Sequence, residues 1–166
     1  MSFRLKGLPA ELFADFFSLS DRELAARNAV RQIADAKPGY PCRISLTDAE
    51  PGQEVILTHF EHHAVASPFR ASHAIYIRKG ERTFDAIDRV PEQLRLRLLS
   101  VRAFDAHGML VDADVVEGAQ LEPLIERLFA DARAEYLHVH FARPGCYAAR
   151  VERVGESDSI GVRCGE

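Results

Sequence analysis

The stretch from Leu121 to Phe141 leaves the chain few ways to fold. Leu121, Leu124, Ile125, Leu128, Phe129 and Ala132 stand at i, i+3, i+4, i+7, i+8 and i+11, which predicts one amphipathic helix over 121–134 with a single apolar stripe. Directly after it, 136-YLHVHFARPGCYAARVERV-154 reads as a β-hairpin. Alternate residues of a strand share a face, so Leu137, Val139 and Phe141 point one way while Tyr136, His138 and His140 point the other. The apolar trio is the nearest surface for the helix stripe to cover. The opposite face then carries imidazoles and a phenol, an unusual load for one strand.

Upstream, Leu12, Phe13, Phe16 and Phe17 have helical spacing within Pro9 to Phe17. Ser20 and Glu23 form a capping-box pattern that predicts a second helix from Ser20 to about Asp35. The run 37-KPGYP-41 cannot continue it, because its prolines lack donors and its glycine favours a turn. Strands are predicted at Cys42–Leu46, Glu54–Phe60 and His73–Arg78, with an irregular stretch over 61–72. Leu96 to Val116 predicts a long hairpin turning at 105-DAHG-108, where Gly108 supplies the positive φ. The sum is an α+β fold: a single domain over 1–166, with a mainly antiparallel sheet packed against an amphipathic helix. Its helical N-terminal segment is expected over 1–38 and its sheet-containing core over 39–166.

At 166 residues, 47% of them hydrophobic, the chain is long enough to bury a core without a metal or disulfide to hold it together. A formal net charge of −4 with dispersed Arg and Lys argues against nucleic acid as a partner, which requires a concentrated basic face. The N-terminal MSFRLKGLPAELFADFF interrupts its apolar content with Gly7, Pro9, Glu11 and Asp15, unlike a signal peptide, and no apolar run reaches the roughly 20 residues of a membrane span. Cys42, Cys146 and Cys164 suggest no disulfide framework. These features predict a soluble cytoplasmic protein with no membrane partner. A glycine-rich fingerprint and a P-loop are absent, which disfavours nucleotide binding by those routes.

Three constellations carry chemistry. In the hairpin, a two- or four-residue loop puts Cys146 on the face of Phe141, under the helix, and sends Tyr147, Ala149 and Val151 to the histidine face. The turn 143-RPGC-146 suits type II geometry. Tyr136, His138, His140 and Tyr147 then form a surface suited to a small molecule, or to a polar network that only completes the fold. Two imidazoles on one strand face have Cα atoms about 6.6 Å apart and can share a divalent metal ion. His73 is the first choice as the third ligand of such a His138 and His140 site. In 67-SPFRASHAIYIRKGER-82, Arg70 with Ser67, Ser72 and His73 offers what an anionic group needs, the alternative being that Arg70 pairs with a neighbouring acid. Cys42, between Pro41 and Arg43, is either a reactive thiol or, more simply, a buried structural one. Asp48, Glu50 and Glu54, and Asp112 with Asp114, read as solvated turn carboxylates.

The blocks 39-GYPCRISLTDAEPGQEVIL-57, 67-SPFRASHAIYIR-78 and 136-YLHVHFARPGCYAARVERV-154, in this order, resemble the bacterial family catalogued as domain of unknown function 1203. The resemblance implies a single-domain bacterial protein and carries no catalytic role. Two functions follow from the residues themselves: binding of a small, anionic molecule through Tyr136, His138, His140, Tyr147, Arg70 and His73, or metal-dependent chemistry at His138, His140 and His73.

Overall fold

The structure, a computed structural model, describes residues 1–155; Cys164 lies outside them. Nine strands occur among these residues: β1 (Phe3–Lys6), β2 (Ala29–Ile33), β3 (Glu54–His63), β4 (Ala71–Ile77), β5 (Asp85–Ile87), β6 (Leu98–Phe104), β7 (Leu110–Glu117), β8 (Tyr136–Phe141) and β9 (Tyr147–Arg153). Three α-helices accompany them, α1 (Asp21–Ala26), α2 (Glu92–Arg95) and α3 (Leu121–Phe129), with short 3₁₀ turns at Ala10–Phe13, Phe16–Ser18 and Gly118–Gln120. The strands form a six-stranded sheet in the order β5-β1-β9-β8-β6-β7 and a three-stranded sheet in the order β2-β3-β4. Every strand pairing in both is antiparallel. The α+β class and the antiparallel sheet under an amphipathic helix are as the sequence pattern requires.

Helix α3 lays Leu121, Leu124, Ile125, Leu128 and Phe129 on Leu99, Val101, Ala103, Leu137, Val139 and Val151 of the large sheet, making the main core. It stops at Phe129, so Ala132 is exposed instead of continuing the stripe. Arg153, at the end of β9, closes that helix end by donating to the carbonyl oxygens of Phe129 (2.8 Å), Asp131 (2.9 Å) and Ala134 (3.0 Å). These are C-terminal carbonyls left without intrahelical partners.

The N-terminal region departs most from the pattern. Ser20 and Glu23 do form the capping box, with the Ser20 N–H donating to Glu23 at 2.7 Å and the Glu23 N–H to Ser20 Oγ at 3.3 Å. Yet α1 ends at Ala26, because Asn28 takes a left-handed φ of 53° and the chain turns into β2. Val30 and Ile33 bring strand preference, and pairing from Ala29 to Thr58 through Ile33 to Glu54 outweighs the helix signal. The helical reading of 1–38 is therefore corrected: its helices are short turns, and it also supplies β1 to the large sheet. The apolar residues of 9–17 make 3₁₀ turns rather than an α-helix, burying Phe13 against Phe16 and Phe60. Cys42–Leu46 is a turn rather than a strand, since Arg43 N–H bonds Tyr76, Ile44 accepts from Phe84 N–H, and Leu46 has φ 53°.

The hairpin of β6 and β7 turns where expected, with Gly108 at φ 74°. In the hairpin of β8 and β9 the loop is Ala142–Gly145, closed by Gly145 N–H on the Phe141 carbonyl at 2.8 Å, in place of a type II turn. Gly145 stands at φ 80°, a conformation that other residues resist. Past this four-residue loop, Phe141 N–H meets Cys146 and His140 pairs with Tyr147. An irregularity then shifts the register so that Val139 faces Ala149 and His138 faces Arg150. Ala149 and Val151 consequently lie in the helix-side core, not on the histidine face.

Candidate functional site

The small sheet covers the face of β8 and β9 opposite α3. Tyr147 joins Ile56, Ile75 and Ile77 of the small sheet in a second core. Into this interface β8 sends His138 and His140, each 1% exposed, from the large sheet. From the small sheet β4 sends His73, and β3 sends two consecutive histidines. Strand β3 pairs Phe60 with His73 and then His63 with Ala71, one residue more than its partner over the same interval. Such a bulge bends the strand and lets neighbouring residues both face inward. His62 accordingly contacts His73, His138, His140 and Tyr147, while His63 contacts His138, Phe104 and Tyr136. Five of the seven histidines meet in one place.

Their nitrogens are not equivalent. His63 is fully engaged: Nδ1 faces the Phe69 carbonyl at 2.8 Å and Nε2 faces the Tyr136 hydroxyl at 2.7 Å. A carbonyl only accepts, so Nδ1 holds the proton and the tyrosine hydroxyl donates to Nε2. His140 donates Nδ1–H to the Gly145 carbonyl at 3.1 Å, which leaves Nε2 as a bare lone pair. That Nε2 is buried without a hydrogen-bond partner, as are Nδ1 of His62, His73 and His138. Unpaired buried polar atoms are uncommon and each costs about 1–3 kcal/mol, so four in one cluster mark where an ordered water, an ion or another ligand would bind.

His62, His73 and His140 each offer one nitrogen, all within 4.8 Å of one another. Ideal tetrahedral coordination at a metal–nitrogen distance of about 2.0–2.1 Å places such atoms about 3.3 Å apart, within reach of small ring rotations. The hydrogen bond from His140 to a backbone carbonyl is the usual outer support of a metal-bound imidazole, because it fixes both ring and tautomer. Burial favours the neutral form of His62, His73, His138 and His140. It pushes His62 and His140 down to about 3 and His138 to about 2, helped by neighbouring imidazoles and, at His140, by the Arg102 guanidinium. His73 is lowered by burial and then by Arg102. Neutral imidazole is the form that binds metal.

Two cavities adjoin the cluster. One, of about 180 Å³, touches His62, His63 and His140 and is otherwise lined by Phe69, Ala71, Arg102, Phe104 and Leu110. The other, of about 700 Å³, reaches His73 from the opposite side, past Arg43, Leu57, Leu98, Phe141 and Cys146. Arg43 is 1% exposed there, its guanidinium donating to the Tyr147 carbonyl at 2.8 Å and to Cys146 Sγ at 2.9 Å and facing the Phe141 ring.

Of the residues singled out from sequence, Tyr136, His138, His140, Tyr147 and His73 are gathered here. His138 lies beside the converging trio, its ring 5.0 Å from Tyr147 and 6.4 Å from His140. Arg70 is not brought in: it grips Glu61 at 2.7 and 2.8 Å on the exposed surface. Ser67 accepts from the Phe69 N–H within its own loop and donates to the Gly108 carbonyl of the turn between β6 and β7. Burial pushes the Cys42 thiol up to about 12, so it is an inert packing residue. Asp48 is no solvated turn residue but a buried partner of Arg97, whereas Asp112 and Asp114 share the exposed Arg127. Sequence reading missed His62, His63 and Arg102. For the two histidines the signal is 59-HFEHH-63, which a strand ending at Phe60 leaves in an irregular stretch.

Among the described residues no helix is long and apolar enough to cross a membrane. No curated protein and no solved structure matches the chain. The model of the family described as Protein of unknown function (DUF1203) matches residues 39–153, a span that holds all five clustered histidines and every residue lining the two cavities except Pro38. The chain belongs to that family.

Proposed function

We propose that this protein binds one divalent transition-metal ion through His62, His73 and His140 and uses it as a Lewis acid, in metal-dependent chemistry that activates water or polarises a carbonyl. The observation that carries this reading is the convergence, from three strands of two sheets, of three imidazoles that each bring one nitrogen within 4.8 Å of the others and each have a buried nitrogen without a hydrogen-bond partner. Three protein ligands leave a coordination position open, the pattern of catalytic rather than structural zinc. Because imidazole contributes no negative charge, the ion keeps its full +2 and strongly acidifies bound water, to a pKa of about 7 at a three-histidine zinc. Imidazole suits Zn²⁺, Cu²⁺, Fe²⁺ and Ni²⁺, and zinc is the first to test. The thiols of Cys42 and Cys146 stand free, which supports a reducing cytoplasm as its setting.

The test is elemental analysis of protein purified without an affinity tag, followed by zinc titration of chelator-treated protein. One ion per chain in the wild type, lost in His140→Ala, is the expected result. Substoichiometric metal that His140→Ala leaves unchanged would overturn the reading.

A second reading is a small-molecule binding domain that needs no metal. The cavity of about 700 Å³ favours it, being within the usual range for organic ligands and lined by apolar walls with the buried Arg43. A ligand held by chelated protein as tightly as by zinc-loaded protein would support this alternative.

A further inference from the structure

We propose that the metal centre accepts a small carboxylate, and that Arg102 is the residue that grips it. This rests on the metal reading above and names the class of molecule that would enter the open coordination position.

The cavity of about 180 Å³ is the one that touches two of the three ligating histidines, His62 and His140. Arg102 stands in its wall, on β6, directly opposite His138 in the ladder with β8. Other arginines of the molecule have found acids: Arg70 holds Glu61, Arg97 holds Asp48, and Arg127 holds both Asp112 and Asp114. The guanidinium of Arg102 makes no hydrogen bond or ion pair among the described residues, although it is partly buried.

Besides His62, His63, His140 and Arg102, the walls are Phe69, Ala71, Phe104 and Leu110, so among the described residues no carboxylate lines the space. A divalent ion on neutral imidazoles together with Arg102 would place three positive charges around a cavity with apolar sides, where little water can screen them. An anion is the ligand that such a site stabilises most. Arginine presents paired N–H donors that match the two oxygens of a carboxylate, and a carboxylate can also give one oxygen to the metal. The volume sets the size. At about 180 Å³ the cavity is smaller than the roughly 300–1,000 Å³ usual for drug-sized ligands, which points to an acid of a few heavy atoms.

Cobalt(II) replacing zinc supplies a visible spectrum that responds to a change of ligand, so cobalt-loaded protein can be titrated with acetate, with the neutral isostere acetamide and with inorganic phosphate. Acetate should shift the spectrum saturably and acetamide should not. Arg102→Gln should take up the same amount of cobalt yet bind acetate at least about tenfold more weakly, while Arg102→Lys, which keeps the charge, should fall between. Cobalt uptake by each variant also reports that it has folded. A cobalt spectrum unmoved by acetate, or an acetate affinity equal in wild type and Arg102→Gln, would overturn the proposal and leave the metal reading standing. Phosphate binding more tightly than acetate would overturn the assignment to carboxylates. Failure to take up cobalt at all would overturn both readings together.

Discussion

His62 and His73 lie face to face across the ladder of β3 and β4, with ring centroids 4.8 Å apart and planes inclined by 13°. The opposite face of His62 meets Tyr147 in the same way, at 4.8 Å and 17°. One imidazole is thus held between another imidazole and a phenol, which fixes the plane in which its free Nδ1 must lie. His62→Ala should therefore abolish metal binding as completely as His140→Ala, a loss of more than about 100-fold in affinity by zinc titration. His138→Ala should retain one ion per chain, because its Nδ1 lies outside the converging trio.

The metal-free protein should be sensitive to mild acid. His62, His138 and His140 have folded-state values pushed down to about 3, 2 and 3, against an unfolded value of about 6.5. Between those limits the unfolded chain binds more protons than the folded one, so stability is complete above about pH 6.5 and declines as the pH falls towards 3. The slope approaches about 1.4 kcal/mol per pH unit for each of the buried His138 and His140, with a smaller, solvent-screened contribution from the partly buried His62, which is enough to unfold a domain of ordinary stability within about three units. Far-UV circular dichroism in the presence of chelator should show this acid transition, and saturating zinc should move it to lower pH.

Gly145 serves the site twice, through its φ of 80° and through the carbonyl that accepts from His140. Gly145→Ala introduces no clash, since nothing lies within 4 Å of the added carbon, and should cost only the roughly 1–2 kcal/mol of a left-handed conformation. Zinc affinity should drop by about tenfold as the loop carbonyl shifts, the usual consequence of disturbing outer support. Paired denaturation and zinc titrations separate the two effects.

Tyr136→Phe removes the hydroxyl that donates to His63 and leaves Nε2 of a buried imidazole unsatisfied. A loss of about 1–3 kcal/mol in urea unfolding is expected, with metal stoichiometry unchanged. If Tyr136→Phe instead abolished metal binding, His63 would belong to the centre.

Local patterns revealed those parts of the fold that depend on local periodicity. The stripe of α3, the faces of β8, the capping box at Ser20 and the turn at Gly108 are each encoded within a few residues, and all four are present. The reading failed where distant partners decide. Ala29–Ile33 follows a good helix start and becomes a strand because Glu54 to Thr58 is there to pair with it. Half of the candidate site was visible for the same reason: His138 and His140 share a strand face by simple alternation, as the sequence requires. His62 joins them only through a bulge, and Arg102 only because β6 pairs with β8, neither of which leaves a periodic trace. Arg70 had the right chemistry, but Glu61, nine residues earlier, reaches it first.

The extra residue in β3 makes the site sensitive to spacing as well as to composition. Deleting Glu61 would let the ladder run straight from Phe60 opposite His73 to Ala71, with His63 still inward and His62 turned to the outer surface. All seven histidines would remain and both sheets would still close, yet the trio would be reduced to a pair. Within this family, then, the number of residues between the positions of Phe60 and His63 should separate chains that hold an ion from chains that keep only the scaffold.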